Sequence, residues 1–330
     1  IMFATTMIIG TMITISSNSW MGMWLGLEIN LLSIIPLMSN VKNKMESETS
    51  MKYFIIQAMA STILLLSVIL MLMSESNLST KTIKSMILDS AILTKMGAAP
   101  FHFWFPEVME GLSWLNSSIM LTWQKIAPMI VFSYTNKPIM FTTSIIVMSM
   151  IISGMMGINQ TSMRKILAYS SINHIGWMLS TMICNQTIWI IYLTIYSAMT
   201  INITFMMSKF NIFFIKQMMN SSMNNKKLKT LFAMNFLSLG GIPPFVGFFP
   251  KWITINFLIQ EKMFLLAFMM IVMTLMTLFF YMRITFSSIM FKMTKSKLIN
   301  QNNKNLTTLM TLNLITLSSL SMCTLIFNFI

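Results

Sequence analysis

Charge is scarce in this chain. Only 9% of its 330 residues are Asp, Glu, Lys or Arg, against 55% hydrophobic. A soluble domain carries about a quarter charged residues, so a water-soluble protein is excluded and a polytopic membrane protein remains. Cysteine is nearly absent: Cys184 and Cys323 lie in or beside apolar stretches and suggest neither a disulfide framework nor a metal site. Histidine is limited to His102 and His174, and no Cys cluster or suitable His pair could hold an iron–sulfur centre or haem. Neither G-x-G-x-x-G nor a Walker loop occurs, so no nucleotide site is indicated. The chain is therefore expected to bind no cofactor and to carry no electrons. Ile1 opens directly in an apolar run without a basic lead-in, so no cleavable signal peptide is expected.

What the chain has instead is long apolar runs. Stretches of roughly 20 residues cross a bilayer, and they predict eleven helices near 3–18, 19–38, 51–73, 83–105, 112–134, 138–158, 164–183, 187–208, 229–258, 263–287 and 306–329. The first is short and the ninth is long and interrupted. The Lys/Asn-rich loops at 220–229 and 295–305 read as short connectors, leaving a single transmembrane domain over 1–330 with no soluble part. The formal charge of +14 is unevenly spread. Counting connections alternately, one side receives Lys42, Lys44, Arg164, Lys165, Lys209, Lys216, Lys226, Lys227, Lys229, Lys292, Lys295, Lys297 and Lys304. The other receives little beyond Lys81, Lys84, Lys137 and Lys262. Basic residues collect on the inner side of membranes, which places the N-terminus inside and the C-terminus outside. The basic excess is topology, with no affinity for nucleic acid.

Methionine fills 41 positions, and the chain starts with Ile1. Both fit an AT-rich organellar genome whose code reads ATA as Met and initiates at ATT; the inside is then the mitochondrial matrix. A truncated chain with a Met-rich core, where Met packs as an adaptable filler, is the alternative.

Proline occurs eight times, and five of these fall in two places. One is Lys95-Met-Gly97-Ala-Ala-Pro100-Phe-His102-Phe-Trp104-Phe-Pro106; the other is Gly240-Gly241-Ile-Pro243-Pro244-Phe-Val-Gly247-Phe-Phe-Pro250-Lys251. Each has a Gly–Pro interruption, an aromatic patch, a second Pro and a lysine at one flank. A proline inside a helix removes a backbone hydrogen bond, and in lipid such breaks survive only against protein or a wet cavity. Paired interruptions in two halves of a chain mark a transporter's site, and these lie roughly 145 residues or five helices apart. Five being odd, the second copy is expected to be inverted. Ordinary proline kinks are the alternative.

Four ionisable residues sit deep in the apolar runs: Glu28, Lys95, Lys125 and Lys251. Each charge at that depth costs roughly 2.5–3.5 kcal/mol on insertion scales, which points to the handling of a charged species. One acid and three amines suit a proton relay; a cation cage would want oxygens. Glu28 lies eight residues in from Trp20, roughly 12 Å at 1.5 Å per residue. Gly22 and Gly26 beside it give a smooth face for another helix. Lys95 and Lys125 are too deep for easy snorkelling, and Lys251 is nearer its helix end. Burial disfavours the charged amine, so such a lysine can release a proton near neutral pH. Amines held structurally by helix C-terminal carbonyls are the alternative. His102 and His174 are candidate bridges between lysines, or satisfied core histidines. Asp89, one or two turns before Lys95, is a candidate relay or ion partner, and Glu107 and Glu110 end the broken fourth helix and are read as marking its interface.

Five stretches carry a resemblance: Trp24-Leu-Gly-Leu-Glu28-Ile-Asn30, Lys95-Met-Gly-Ala-Ala-Pro-Phe-His-Phe-Trp104, Thr122-Trp-Gln-Lys125-Ile-Ala-Pro128, Ser170-Ser-Ile-Asn-His174-Ile-Gly-Trp177 and Leu239-Gly-Gly-Ile-Pro-Pro-Phe-Val-Gly-Phe248. In this order they resemble the NADH dehydrogenase subunit 2 family, the mitochondrially encoded, antiporter-like membrane subunits of respiratory complex I. The family also resembles subunits of multisubunit sodium/proton antiporters. The resemblance implies an all-α membrane fold with two inverted five-helix repeats, each with a broken helix, approximately 3–134 and 138–287, plus the C-terminal helix 306–329. It implies that Glu28 pairs with Lys95, that Lys125 is the central lysine, and that Lys251 completes a hydrated charged axis driven by quinone reduction elsewhere. NADH, FMN, iron–sulfur clusters and ubiquinone are then expected on other subunits. The implied partners are those membrane-arm subunits and the lipids of the mitochondrial inner membrane. An autonomous cation/proton antiporter and a non-conducting structural spacer remain open as other readings.

Overall fold

The computed structural model describes residues 2–40, 43–73, 78–135, 138–220 and 226–290. The expected helix 306–329, Cys323 and the basic residues Lys42, Lys137, Lys292, Lys295, Lys297 and Lys304 lie outside the described residues. Among the described residues the backbone is helical, with no strand beyond one isolated bridge between Ser162 and Phe214. Five helices are long and apolar enough to cross a membrane: Trp20–Met38, Lys44–Leu72, Ile139–Ile158, Gln186–Phe210 and Phe264–Ser287. The other expected spans among the described residues are shorter, more polar or interrupted. The chain folds as two compact units, Ile1–Ser149 and Met150–Ile330.

The first unit opens with α1 (Met2–Ser16) and α2 (Trp20–Met38), which pack on each other. Small residues set their approach: a methyl at Gly26 would fall 2.5 Å from Thr14 Cγ2 and 2.9 Å from Gly10 O. Gly22, expected on the same face, instead lies over the linker, its N–H donating to Ser19 Oγ at the start of α2. Next come α3 (Lys44–Leu72) and α4 (Leu78–Met96), then the short α5 (Trp104–Gly111), α6 (Trp114–Leu121) and α7 (Trp123–Ser133). Helix α4 packs on both α3 and α7, and its Leu88, Ala91, Ile92 and Leu93 are fully buried. The expected span 83–105 is thus α4 plus its break. The expected continuous span 112–134 is interrupted at Thr122 (φ −115°, ψ −70°), between α6 and α7.

Helix α8 (Ile139–Ile158) leads into the second unit. Its central element is α9 (Met163–Cys184), buried without interruption from Ile166 to Met182. A helix covered on every side need not be apolar on every side, and α9 carries Ser170, Ser171, Asn173 and His174 inside the protein. Asn185 both ends α9 and starts α10 (Gln186–Phe210), its side chain accepting from Thr187 N at 3.0 Å. The short α11 (Ile215–Asn220) follows, then α12 (Lys226–Gly240), α13 (Phe248–Gln260) and α14 (Phe264–Met290). Helices α10, α13 and α14 pack on α9.

Candidate functional site

The two Gly–Pro interruptions end their helices in the same way. At the end of α4, Gly97 takes φ +76°; its N–H donates to Thr94 O, and Ala98 N donates to Leu93 O at 3.1 Å. At the end of α12, Gly241 takes φ +79°; its N–H donates to Ser238 O, and Ile242 N donates to Leu237 O at 3.4 Å. This paired pattern satisfies carbonyls that a helix end leaves free, and it needs a residue at ease with positive φ. Glycine is that residue. At Gly241 space matters too, because a methyl there would lie 2.8 Å from Lys251 Cδ.

Lys251, in the first turn of α13, folds back over the break. Its Nζ donates to Gly240 O at 2.9 Å and Leu239 O at 3.3 Å, at the negative end of α12. The same amine lies 5.8 Å from the centre of the Trp177 ring, a cation–π distance. The carbonyl contact required by a structural reading is therefore present. It does not exclude proton exchange, because a neutral amine keeps two N–H donors for the same two carbonyls.

Lys95 lies in the last turn of α4 and is 8% exposed. Gln57 of α3 donates to its carbonyl at 3.4 Å, and Trp104 Nε1 donates to Thr94 O at 3.0 Å, so neighbouring side chains hold this break on two sides. Glu28 is half-buried on α2. Among the described residues no direct ion pair joins it to Lys95. Lys125 stands in the first turn of α7, just past the Thr122 interruption, 2% exposed and 5.8 Å from the Phe105 ring centre. Its neighbour Gln124 donates to Asn30 Oδ1 at 2.9 Å, tying the helix of Lys125 to that of Glu28. Glu28, Lys95 and Lys125 thus share the first unit; Lys251 and His174 belong to the second.

The two histidines differ. His102 sits in the turn of the first break, buried, with Nδ1 3.3 Å from Pro100 O and its ring beside Phe103. His174 is buried on α9, with Nδ1 2.8 Å from the Tyr192 hydroxyl and the Tyr196 ring centre 4.9 Å away. Asn173 beside it donates to Thr277 Oγ1 of α14 at 3.4 Å. Asp89 is fully buried on α4. Glu107 is exposed and meets Lys52 at 3.6 Å, in a cluster that includes Glu48. Among the described residues no group of three or more His, Cys, Asp or Glu is placed to hold a metal ion.

Sequence reasoning missed Gln57, the Asn30–Gln124 contact, the phenols around His174, and the break at Thr122. For the phenols a signal existed: Tyr192 and Tyr196 are four apart on one helix face. For the break there was none at the position itself, only Pro128 further along.

Among the described residues the chain is helical, with five helices of membrane length and two matched glycine-capped breaks beside buried amines, and its class is that of antiporter-like membrane subunits. Residues 17–277 match the family described as "NADH:quinone oxidoreductase/Mrp antiporter, TM", and the chain belongs to that family. More particularly, it is 48% identical to NADH-ubiquinone oxidoreductase chain 2 of Anopheles gambiae, over 99% of this chain and 93% of that relative. It is 48% identical to the same-named chain of Aedes aegypti, over 98% and 97%. The fold is similar to a chain of respiratory complex I from Thermus thermophilus, with TM-score 0.87 at 19% identity, covering 98% of this chain and 78% of that one. It is also similar to a chain of the Mrp complex from Dietzia sp., with TM-score 0.79 at 15% identity, covering 98% and 75%.

Proposed function

We propose that this chain is a core membrane subunit of NADH:ubiquinone oxidoreductase in the mitochondrial inner membrane. There it couples electron transfer from NADH to ubiquinone, carried out on other subunits, to proton translocation. Family membership and the chain 2 relatives support the assignment. The observation that carries the mechanism is the pair of identically capped breaks, each with a buried lysine at its edge. In this reading the described helices and 306–329 make eleven spans in two inverted repeats, with the N-terminus in the matrix and the C-terminus in the intermembrane space.

The relay runs Glu28–Lys95, Lys125, Lys251. With Glu28 near, the Lys95 ammonium is stabilised; as the pair separates, the amine gives up its proton towards Lys125 and then Lys251. At 4 Å and an effective dielectric of 20, unit charges interact by about 4 kcal/mol. That is equivalent to roughly a thousandfold in a protonation equilibrium, enough to move an amine between mostly charged and mostly neutral. Lys125→Met in the assembled complex should cut the protons moved per NADH while leaving complex abundance unchanged. Wild-type stoichiometry in that variant would refute the relay.

The likeness to a chain of an Mrp complex keeps a second reading in view, an autonomous cation/proton antiporter. Transport by the purified chain in proteoliposomes, without its partners, would support that reading over this one.

A further inference from the structure

We propose that Tyr192 is the proton-exchange partner of His174 at Nδ1, making the phenol–imidazole pair a directional step of the relay. The inference rests on the relay reading above and deepens it. The two histidines differ in what faces Nδ1. That of His102 faces a carbonyl, Pro100 O. A carbonyl only accepts, so that nitrogen must carry a hydrogen whatever the charge of the ring. Nδ1 of His174 faces a hydroxyl at 2.8 Å, which can donate or accept. Of the two, only His174 has at Nδ1 a partner that can donate to the bare nitrogen as well as accept from the protonated one.

A proton delivered by an ammonium or hydronium of the relay joins the Tyr192 oxygen as the phenolic hydrogen moves along the hydrogen bond to Nδ1. The phenol is left neutral and the ring becomes an imidazolium. The ring then releases the hydrogen on Nε2, at its opposite edge, to a neutral amine or a water of the relay, which becomes the ammonium or hydronium that carries it on. One proton enters and one leaves, and no phenolate accumulates. The surroundings hold the pair in register: both residues are 1% exposed, and the Tyr196 ring, one turn along α10, lies tilted against the imidazole with its centre 4.9 Å away. On α9, Trp177 lies one turn beyond His174 and carries the Lys251 amine over its ring. The exchange pair therefore sits within one helical turn of the ring that faces the second-unit lysine.

The test uses the assembled complex reconstituted in vesicles, with His174→Gln, Tyr192→Phe and Tyr196→Phe made in this chain. Tyr192→Phe removes only the hydroxyl and should lower coupled turnover about tenfold or more, the scale of one hydrogen bond to a charged group. It should also raise the solvent deuterium isotope effect, since ring protonation then limits the rate. Tyr196→Phe trims an equivalent phenol from the same ring's surroundings and should leave both measurements near wild type. If Tyr192→Phe behaves as wild type while His174→Gln is impaired, the inference fails and the relay stands. If His174→Gln itself pumps normally, the relay reading fails at this residue and takes the inference with it. Equal losses in the two phenylalanine variants, or a loss with no change in isotope effect, would mean packing and overturn the proposal.

Discussion

Gly241 meets two demands at once. Its φ of +79° lies where residues with side chains are strained, and its Cα faces the folded-back stem of Lys251. The left-handed conformation alone costs a residue with a Cβ roughly 1–2 kcal/mol, and the contact at 2.8 Å adds to it. Gly241→Ala should therefore lower thermal stability of the membrane arm, read by a thermal shift of the purified complex, and also reduce pumping by displacing the amine. Gly97→Ala carries the same backbone strain, but the three atoms nearest its added methyl belong to Phe105 and Trp104, the closest being Phe105 Cβ at 3.2 Å. That variant should share the stability loss with a smaller effect on pumping. Equal pumping loss in the two would argue against a special role for the Lys251 contact.

At the scale of elements, the tight crossing of α1 and α2 matters because α2 carries Glu28. Thr14 N would lie 2.7 Å from a Cβ at Gly26, so even a methyl forces the helices apart. Gly26→Leu should lower the amount of assembled complex, visible on a native gel, whereas Gly22→Ala, over the linker, should be milder. The exposed cluster of Glu48, Lys52 and Glu107 ties α3 to α5 at the surface. Exposed pairs contribute little, so Glu107→Gln should assemble and pump as wild type. A pumping defect there would bring Glu107 into the relay. The charged residues were legible in the sequence because an ionisable group inside an apolar run is conspicuous by its cost. The break between α6 and α7 was not, because Leu121-Thr122-Trp123 contains no glycine or proline. The interruption shows only in the backbone angles at Thr122.

For the molecule as a whole, the alternation of basic loops predicts opposite sides for Lys209 and Lys262, both exposed. Lys209→Cys should react with an impermeant thiol reagent from the matrix side, and Lys262→Cys from the other. Labelling of both from one side would overturn the proposed orientation.

Composition and periodicity by themselves determined that the chain is helical, membrane-embedded and interrupted at two related places, because apolar length and Gly–Pro punctuation are local properties of a sequence. Which side chains meet is not local. That Lys251 bonds the carbonyls of Leu239 and Gly240, that Gln124 reaches Asn30, and that Tyr192 rather than a carbonyl faces His174 were decided by packing. Inside a membrane protein, serine, asparagine, histidine and tyrosine cover one another only once the helices are in contact, so α9 looks merely polar in sequence and central in space.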